Sequence, residues 1–252
     1  MKTRIVVMAA GKGTRMNSEK AKVLIPLKGK PVISCLLESI EKSGVDPRPV
    51  VIVGYQAEEV KKVLGDRYEY ALQEEQLGTG HAVSCAQDAV GKGVNNVIVL
   101  NGDVPLVKPE TIKKLKESHD SSNSPITIMT IEVEDYDGWR ESFYGFGRIV
   151  RDSSGKIDAI IEKKDASEKQ LEIKEVNPAL YCFNNDWLWE NLSRIKNENA
   201  VHEYYVTDLV HIAIEEGYAI NSLPADPLEC VGINTPEDFK LAERLISDNP
   251  NS

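Results

Sequence analysis

Apolar runs of strand length alternate with segments of helical period through the first half of the chain. Residues 4–9 read as a strand buried on both faces. Val32, Leu36, Leu37 and Ile40 then recur on one helical face, and Gly44 marks the end of that helix. A strand is predicted at 50–53, a helix at 58–64, a strand at 68–72, a helix at 81–90 and a strand at 97–100. Pro109 suits the first position of a helix running to about His119. This β-α-β-α order predicts a Rossmann-like α/β fold, a mostly parallel sheet flanked by helices on both faces.

The second half is less regular. Strands are predicted at 126–133, 147–151, 157–162, 176–183 and 230–233, and helices at 186–195, 204–216 and 236–246. Strands bunched in this way point to a mixed or antiparallel extension of the sheet. No low-complexity linker and no internal repeat divides the sequence. Residues 1–252 therefore read as one domain, with halves at about 1–120 and 121–252.

With 41% hydrophobic and 28% charged residues, the chain has the composition of a soluble protein with a proper core. Its longest apolar runs, such as 5–10 and 97–100, are too short to span a bilayer, and no secretory leader pattern opens the sequence. Four scattered cysteines read as reduced thiols of a cytoplasmic protein. A net charge of −10 argues against a nucleic-acid or membrane surface. It leaves room for a phosphate ligand, which a few local cations and backbone N–H groups can hold.

Such a cluster follows the first strand. Ala9-Ala10-Gly11-Lys12-Gly13-Thr14-Arg15-Met16 is neither a P-loop nor a dinucleotide motif. Gly11 and Gly13 permit positive φ and close backbone approach, and Lys12, Arg15, Lys20 and Lys22 add four cations. A tight turn with solvated lysines has the same pattern. The cations beside it favour polyphosphate binding.

The stretch from Gly11 to Met16, followed by Lys22-Val23-Leu24, resembles the signature of sugar-1-phosphate nucleotidyltransferases. Further matches follow in order: QEEQLGTGHA at 73–82, NGDVPL at 101–106, GRI at 147–149, IIEKKDAS at 160–167, EVN at 175–177, EYYVTDLV at 203–210 and GINT at 232–235. The resemblance covers nearly the whole chain. It is strongest to the uridylyltransferase domain of the bifunctional bacterial enzymes that make UDP-N-acetylglucosamine.

The resemblance implies a nucleotide-diphospho-sugar transferase (GT-A-like) fold with a nucleotide-binding first half and a sugar-binding second half. It implies Mg²⁺-dependent joining of UTP to N-acetylglucosamine 1-phosphate, releasing pyrophosphate. It places the nucleotide against Met8, Ala9, Ala10, Gly11, Gly13, Lys22, Gln73, Gly78, Thr79, Asn101, Gly102 and Asp103. The matching metal ligands are Asp103 and Asn234; two protein oxygens completed by water and phosphate suit Mg²⁺. Gly147, Glu162, Asn177 and Thr207 match sugar-binding positions, with Tyr205 beside them as an apolar wall. Arg15 and Lys22 are the candidates for catalysis by charge neutralisation. A phosphate monoester is largely ionised at neutral pH, its second pKa lying near ~6, so the nucleophile needs no general base. The four histidines form no metal constellation and receive no role.

Three departures fall mainly on the sugar side. Asn177-Pro178-Ala179 stands where the family usually reads Asn-Thr-Gly or Asn-Ala-Gly. The aromatic-rich segment 135–146 looks longer than the family's connection, and Ala21 stands where proline commonly precedes the lysine. Glucose 1-phosphate or another hexose 1-phosphate, with UTP or dTTP, thus stays open as the substrate pair. A non-catalytic UDP-sugar sensor or regulatory subunit also stays open. A glycosyltransferase would normally carry Asp-x-Asp, whereas Asp103-Val104-Pro105 offers one carboxylate. The hexapeptide-repeat β-helix of the bifunctional relatives is not expected after a tail at 248–252, nor is their trimer; the oligomeric state is open.

Overall fold

A computed structural model of the chain describes residues 1–16 and 19–248. Its first half contains β1 (Thr3–Met8), a small hairpin of β2 (Pro26–Leu27) and β3 (Lys30–Pro31), α1 (Val32–Ser43), β4 (Val50–Val53), α2 (Ala57–Leu64) and β5 (Glu69–Leu72). Then come α3 (Thr79–Ser84), α4 (Gln87–Val90), β6 (Asn96–Asn101) and α5 (Pro109–Asp120). The second half adds β7 (Ile126–Glu132), β8 (Gly147–Arg151), β9 (Ile157–Ile161), α6 (Glu168–Leu171), β10 (Glu175–Asn177) and β11 (Tyr181–Asn184). It ends with α7 (Asn185–Leu192), α8 (Asp208–Glu215), β12 (Asn221–Pro224) and α9 (Pro236–Asp248). Of the tail expected at 248–252, Asp248 ends α9 and residues 249–252 lie outside the described residues.

Strands β5, β4, β1 and β6 lie side by side and parallel, as the β-α-β-α pattern predicts. Beyond β6 the sheet becomes mixed. β11 runs antiparallel to both β6 and β7, β10 to β7 and β8, and β9 to β8, while β12 joins β7 in parallel. The result is one ten-stranded sheet with the mixed extension that the bunched strands imply.

The central strands are apolar throughout because both of their faces are covered. Ile5 and Val7 pack with α1, α2 and α5 on one face, through Leu36, Val60 and Leu115. Val6 points the other way, into the cluster with Val83 of α3, Leu188 of α7 and Leu209 of α8. Alternate strand side chains thus feed two cores, which is why no period-2 polarity shows in these runs. Gly44 closes α1 with φ of 65° and donates its N–H to Glu41 O at 3.0 Å, the left-handed cap that its sequence position predicts. No described helix is long and apolar enough to cross a membrane.

Four predicted elements differ from the structure. The helix expected at 81–90 is two helices, because its ladder tightens at Cys85 and Ala86. The Cys85 N–H is shared between His81 O and Ala82 O, and Ala86 N–H goes to Val83 O. The helix expected to open at 204 opens at Asp208, since the backbone before it is bonded to the 77–80 loop. The strand expected at 230–233 is not one. A short 3-10 turn, Pro227–Cys230, precedes an extended run whose Ile233 N–H bonds Asp103 O at 2.9 Å. Cys230, Val231 and Ile233 are wholly buried, so the apolar run was real and its ladder was not.

The strand expected at 176–183 is split into β10 and β11. Pro178 has no N–H to offer a ladder, and Ala179 adopts φ of 59°, its N–H held by Asn177 Oδ1 at 3.1 Å. The left-handed conformation costs a residue with a Cβ ~1–2 kcal/mol, offset in part by the ~0.4–1 kcal/mol of extra unfolded-state entropy that glycine brings. Ala179→Gly is therefore expected to stabilise the protein by about 1 kcal/mol. A chain of this length should then melt ~2–4 °C higher, which thermal unfolding will measure.

Candidate functional site

β1 and β6 end together, with Met8 opposite Asn101 in register. The turn after β1 and the Asn101-Gly102-Asp103 segment after β6 therefore emerge side by side at the carboxyl edge of the parallel sheet. Ligands bind at such edges. A cavity of ≈260 Å³ opens there, floored by Met8, Ala9, Ala10 and Gly11 and bounded by Lys22, Asn101 and Asp103. Gln73, Gly78 and Thr79 form its other side. Of the positions expected to hold the nucleotide, Gly13 and Gly102 alone do not line it, and each has a packing reason to be glycine.

A Cβ on Gly13, which has φ of 66°, would stand 2.5 Å from Lys22 Cβ, so the turn and the lysine stem cross at contact. A Cβ on Gly102 would meet Met8 O at 3.0 Å, and Gly102 N–H donates to that oxygen at 2.9 Å. Gly11 differs from expectation. It has no positive φ, and a Cβ there would meet nothing within 4 Å, so its freedom is open space on the cavity side. The N–H groups of Gly11, Lys12 and Gly13 donate to no acceptor among the described residues.

The charged groups converge. Lys22 Nζ donates to Asp103 Oδ2 and, at 3.0 Å, to Asn234 Oδ1, which also accepts from Arg15 at 3.1 Å. The Lys22 and Asp103 side chains are only 15% and 13% exposed, so water screens this pair weakly. Lys22 sits in a short 3-10 turn anchored by buried Val23 and Leu24. The preceding Ala21 donates its N–H to Gln56 Oε1 at 2.7 Å, and Gln56 Nε2 reaches Glu19 O at 2.8 Å. Proline could not make the first bond, so the alanine serves this contact. Asn234 is fixed by its N–H to Asp238 Oδ2 at 3.0 Å, and Asp238 in turn caps α9 with Thr235.

Gln73 is nearly buried, its amide nitrogen 3.2 Å from both Gly78 O and His81 Nδ1. Gly78 has φ of 114°, and any Cβ there would stand 2.5 Å from Tyr204 O. The 77–80 loop and residues 204–206 interlock: Tyr204 N–H to Leu77 O at 2.8 Å, Gly80 N–H to Tyr204 O at 2.7 Å and Val206 N–H to Thr79 Oγ1 at 3.0 Å. Sequence reasoning passed over Gln76 and Glu203, which line the cavity, and His81, which orients Gln73. Gln76 and His81 lie within the 73–82 motif and Glu203 opens the 203–210 motif, so the signal was there without a role attached.

The positions expected to hold a sugar form a neighbouring group. Thr207 Oγ1 donates to Glu162 Oε1 at 3.1 Å, and a Cβ on Gly147 would meet Glu162 Cδ at 3.5 Å. Asn177 is buried, with its amide on the Tyr181 hydroxyl at 2.5 Å. Tyr205 is more than an apolar wall. Burial pushes its phenol up, and Asp165, Glu162 and Glu203 push the same way. A larger hollow of ≈790 Å³ adjoins, reaching from Arg15 and Asn234 past Tyr144 and Phe146 to Lys163.

The family model for nucleotidyl transferases matches residues 4–228. The chain belongs to the nucleotidyl transferase family. The bifunctional protein GlmU of Shouchella clausii is 42% identical over 242 residues, covering 96% of this chain and 52% of that protein. GlmU of Exiguobacterium sibiricum is 43% identical over 247 residues, 98% of this chain and 53% of that protein. The chain thus spans about half the length of these curated relatives. A crystal structure from Bacillus anthracis, described as a glucose-1-phosphate thymidylyltransferase in complex with sucrose, shares the fold. Its TM-score is 0.78 at 17% identity, covering 98% of this chain and 96% of that one.

In this nucleotidyltransferase most of the charged cluster lies within the matched span, and Asn234 lies just beyond it. Among the described residues no group of three or more His, Cys, Asp or Glu could hold a metal. An ion here would rest on the Asp103 and Asn234 oxygens. On the neighbouring side, burial is the main force raising the Glu162 carboxyl above its ordinary 4.5, and the Thr207 hydrogen bond opposes it. Above 4.5, up to the raised value, the folded protein holds a proton that the unfolded chain has released, so Glu162 makes stability fall as pH rises through that window. Glu162→Gln keeps an acceptor for Thr207 and removes the titration. Urea melts from pH 4 to 8 should show the variant gaining on the parent as pH rises from 4.5.

Proposed function

We propose that the chain joins UTP to N-acetylglucosamine 1-phosphate, giving UDP-N-acetylglucosamine and pyrophosphate with the help of Mg²⁺. The observation that carries this reading is the cavity lined by the glycine-rich turn, Gln73, Lys22 and Asp103, with Asn234 hydrogen-bonded to Lys22 and Arg15 to Asn234. Similarity to GlmU proteins over 96% and 98% of this chain supports it.

The Asp103 and Asn234 oxygens fit a small hard cation, because both already converge on one positive centre, the Lys22 ammonium. Two protein oxygens with the rest from water and phosphate is an ordinary Mg²⁺ site. When bound, the ion would supply Lewis-acid polarisation of a phosphate oxygen.

The remaining work belongs to the chain. The turn at Gly11 to Gly13 offers N–H groups to phosphate oxygens, and Gln73 offers an amide to the base, held in place by Gly78 and His81. The acceptor's phosphate oxygen forms a bond to the α-phosphorus as the bond to the β-phosphate oxygen breaks, and pyrophosphate leaves with that electron pair. The attacking oxygen is already ionised, so no side chain must take a proton. Arg15 and Lys22 offset the charge on the crowded phosphorus and hold two anions in line. Glu162, Asn177 and Thr207 orient the sugar from the adjoining group. The reshaped turn at Asn177-Pro178-Ala179 keeps hexose 1-phosphates without the acetamido group, paired with UTP or dTTP, as the second reading.

A pyrophosphate-release screen of UTP, dTTP and CTP against several sugar 1-phosphates tests both readings. UTP with N-acetylglucosamine 1-phosphate should give the highest kcat/KM; preference for glucose 1-phosphate selects the second reading. UDP-sugar binding without turnover of any pair would make the protein a sensor. Arg15→Ala and Lys22→Ala should each lower kcat by ~10²-fold or more. Near-normal turnover in both would remove them from the mechanism.

A further inference from the structure

We propose that Lys22 is a built-in cation that guards the metal position. Its ammonium sits on the same two oxygens a divalent ion would need, so the ion and the nucleotide bind cooperatively. This rests on the metal-dependent reading above and adds an order of events to it.

Three observations carry the inference. Lys22 Nζ donates to both Asp103 Oδ2 and Asn234 Oδ1, and Arg15 takes the latter oxygen as well. Each oxygen of the metal pair thus already serves a cation of the chain. The lysine is also placed rather than drifting. Its stem lies under the turn at Gly13, where a Cβ would stand 2.5 Å from Lys22 Cβ, and the preceding N–H is tied to Gln56. Finally, the pair is little exposed, so a second positive charge beside the ammonium would be weakly screened.

A divalent ion arriving alone must displace Lys22 and leave its ammonium without an anion. A triphosphate removes that obstacle by offering oxygens to Lys22 and Arg15, which releases Asp103 and Asn234. Linkage makes the effect reciprocal: the nucleotide favours the ion as much as the ion favours the nucleotide. Exchange of cation partners thereby keeps a bare ion out of the site until the phosphates that need it are present.

The test is a Mn²⁺ titration followed by electron paramagnetic resonance, on the full chain without nucleotide and at fixed ionic strength. Lys22→Met should bind Mn²⁺ about ten-fold or more tighter than the parent, within the ~5–150-fold span of ordinary site coupling. Lys22→Gln repeats the measurement with a second neutral side chain, and circular dichroism checks that each variant is folded. Lys22→Arg keeps the charge and should bind as weakly as the parent. Adding Asp103→Asn to Lys22→Met should abolish the gain. Equal or weaker Mn²⁺ binding by both folded neutral variants overturns the guard role. Full turnover of the parent in excess chelator is a separate result, and it would overturn the metal-dependent reading beneath it.

Discussion

The parallel pairing of β1 with β6 sets the level at which everything else is assembled. Six consecutive residue pairs, from Thr3–Asn96 to Met8–Asn101, hold the two strands in one register. Both are buried on both faces, so a slip by one residue would exchange the two cores and is heavily disfavoured. The strands end at the same height, and the chain beyond each has nowhere to go but over the edge of the sheet. Gly102 lets the second exit pass within hydrogen-bonding distance of the first, with its N–H on Met8 O. Asp103 is delivered next to the turn by that contact. Its carbonyl then captures Ile233 N–H, which brings in Asn234 from the far end of the chain.

Elements that bury one or both faces of regular structure were legible from the sequence, because their periodicity reports their surroundings. Val50–Val53 and Gly147–Arg151 fall where the apolar runs place them, and Gly44 stops α1 where glycine can. Two of the four differences share one physical cause. Residues 204–206 are half-buried or buried and 230–233 are buried, and their backbone groups pair with loops far away in sequence. The Thr79–Val206 bond spans 127 positions and no local window contains it. Burial can be read from composition; the identity of the hydrogen-bond partner cannot. β12 was invisible for the opposite reason. Asn-Ser-Leu-Pro carries little apolar signal, yet it pairs with β7 over four residues.

The candidate site was legible as a set of positions and much less so as an arrangement. The glycine-rich turn, Gln73 and Asp103 line one cavity. Glycine meant different things at Gly11 and Gly13, which one motif could not separate. The structure adds supports that no motif singled out. Gln56 has φ of 53° and turns its amide back on Glu19 and Ala21, fixing the approach to Lys22. Asp238 ties the helix cap of α9 to the backbone of Asn234. Residues of this kind act through others, so their chemistry offers sequence reasoning nothing to match.

The surroundings of Gly147 obey a different electrostatic logic from the cluster around Lys22. Around Lys22 the cations are matched by a carboxylate and an amide and stay partly exposed. Arg148, one residue after Gly147, is wholly buried with no ion-pair partner among the described residues. Its guanidinium lies 5.0 Å from the ring centre of Tyr136 and 5.1 Å from that of Tyr144, and donates to the carbonyls of Phe146 and Tyr144. A delocalised, weakly hydrated cation tolerates such a setting better than an ammonium would. The aromatic segment is thereby clamped against β8 by the residue that follows Gly147, with Phe143 packed edge-on between Trp139 and Phe146. Arg148 Nε and Ser142 Oγ, both in or beside this segment, are buried without hydrogen-bond partners among the described residues. The clamp is therefore strong at its rings and incomplete in its polar bonds. The wall and the β1–β6 edge share no hydrogen bond among the described residues, but Phe143 packs in the same apolar core as Ile5, Val7 and Leu100. A change of shape in the wall therefore reaches that edge through close-packed side chains and not through polar bonds.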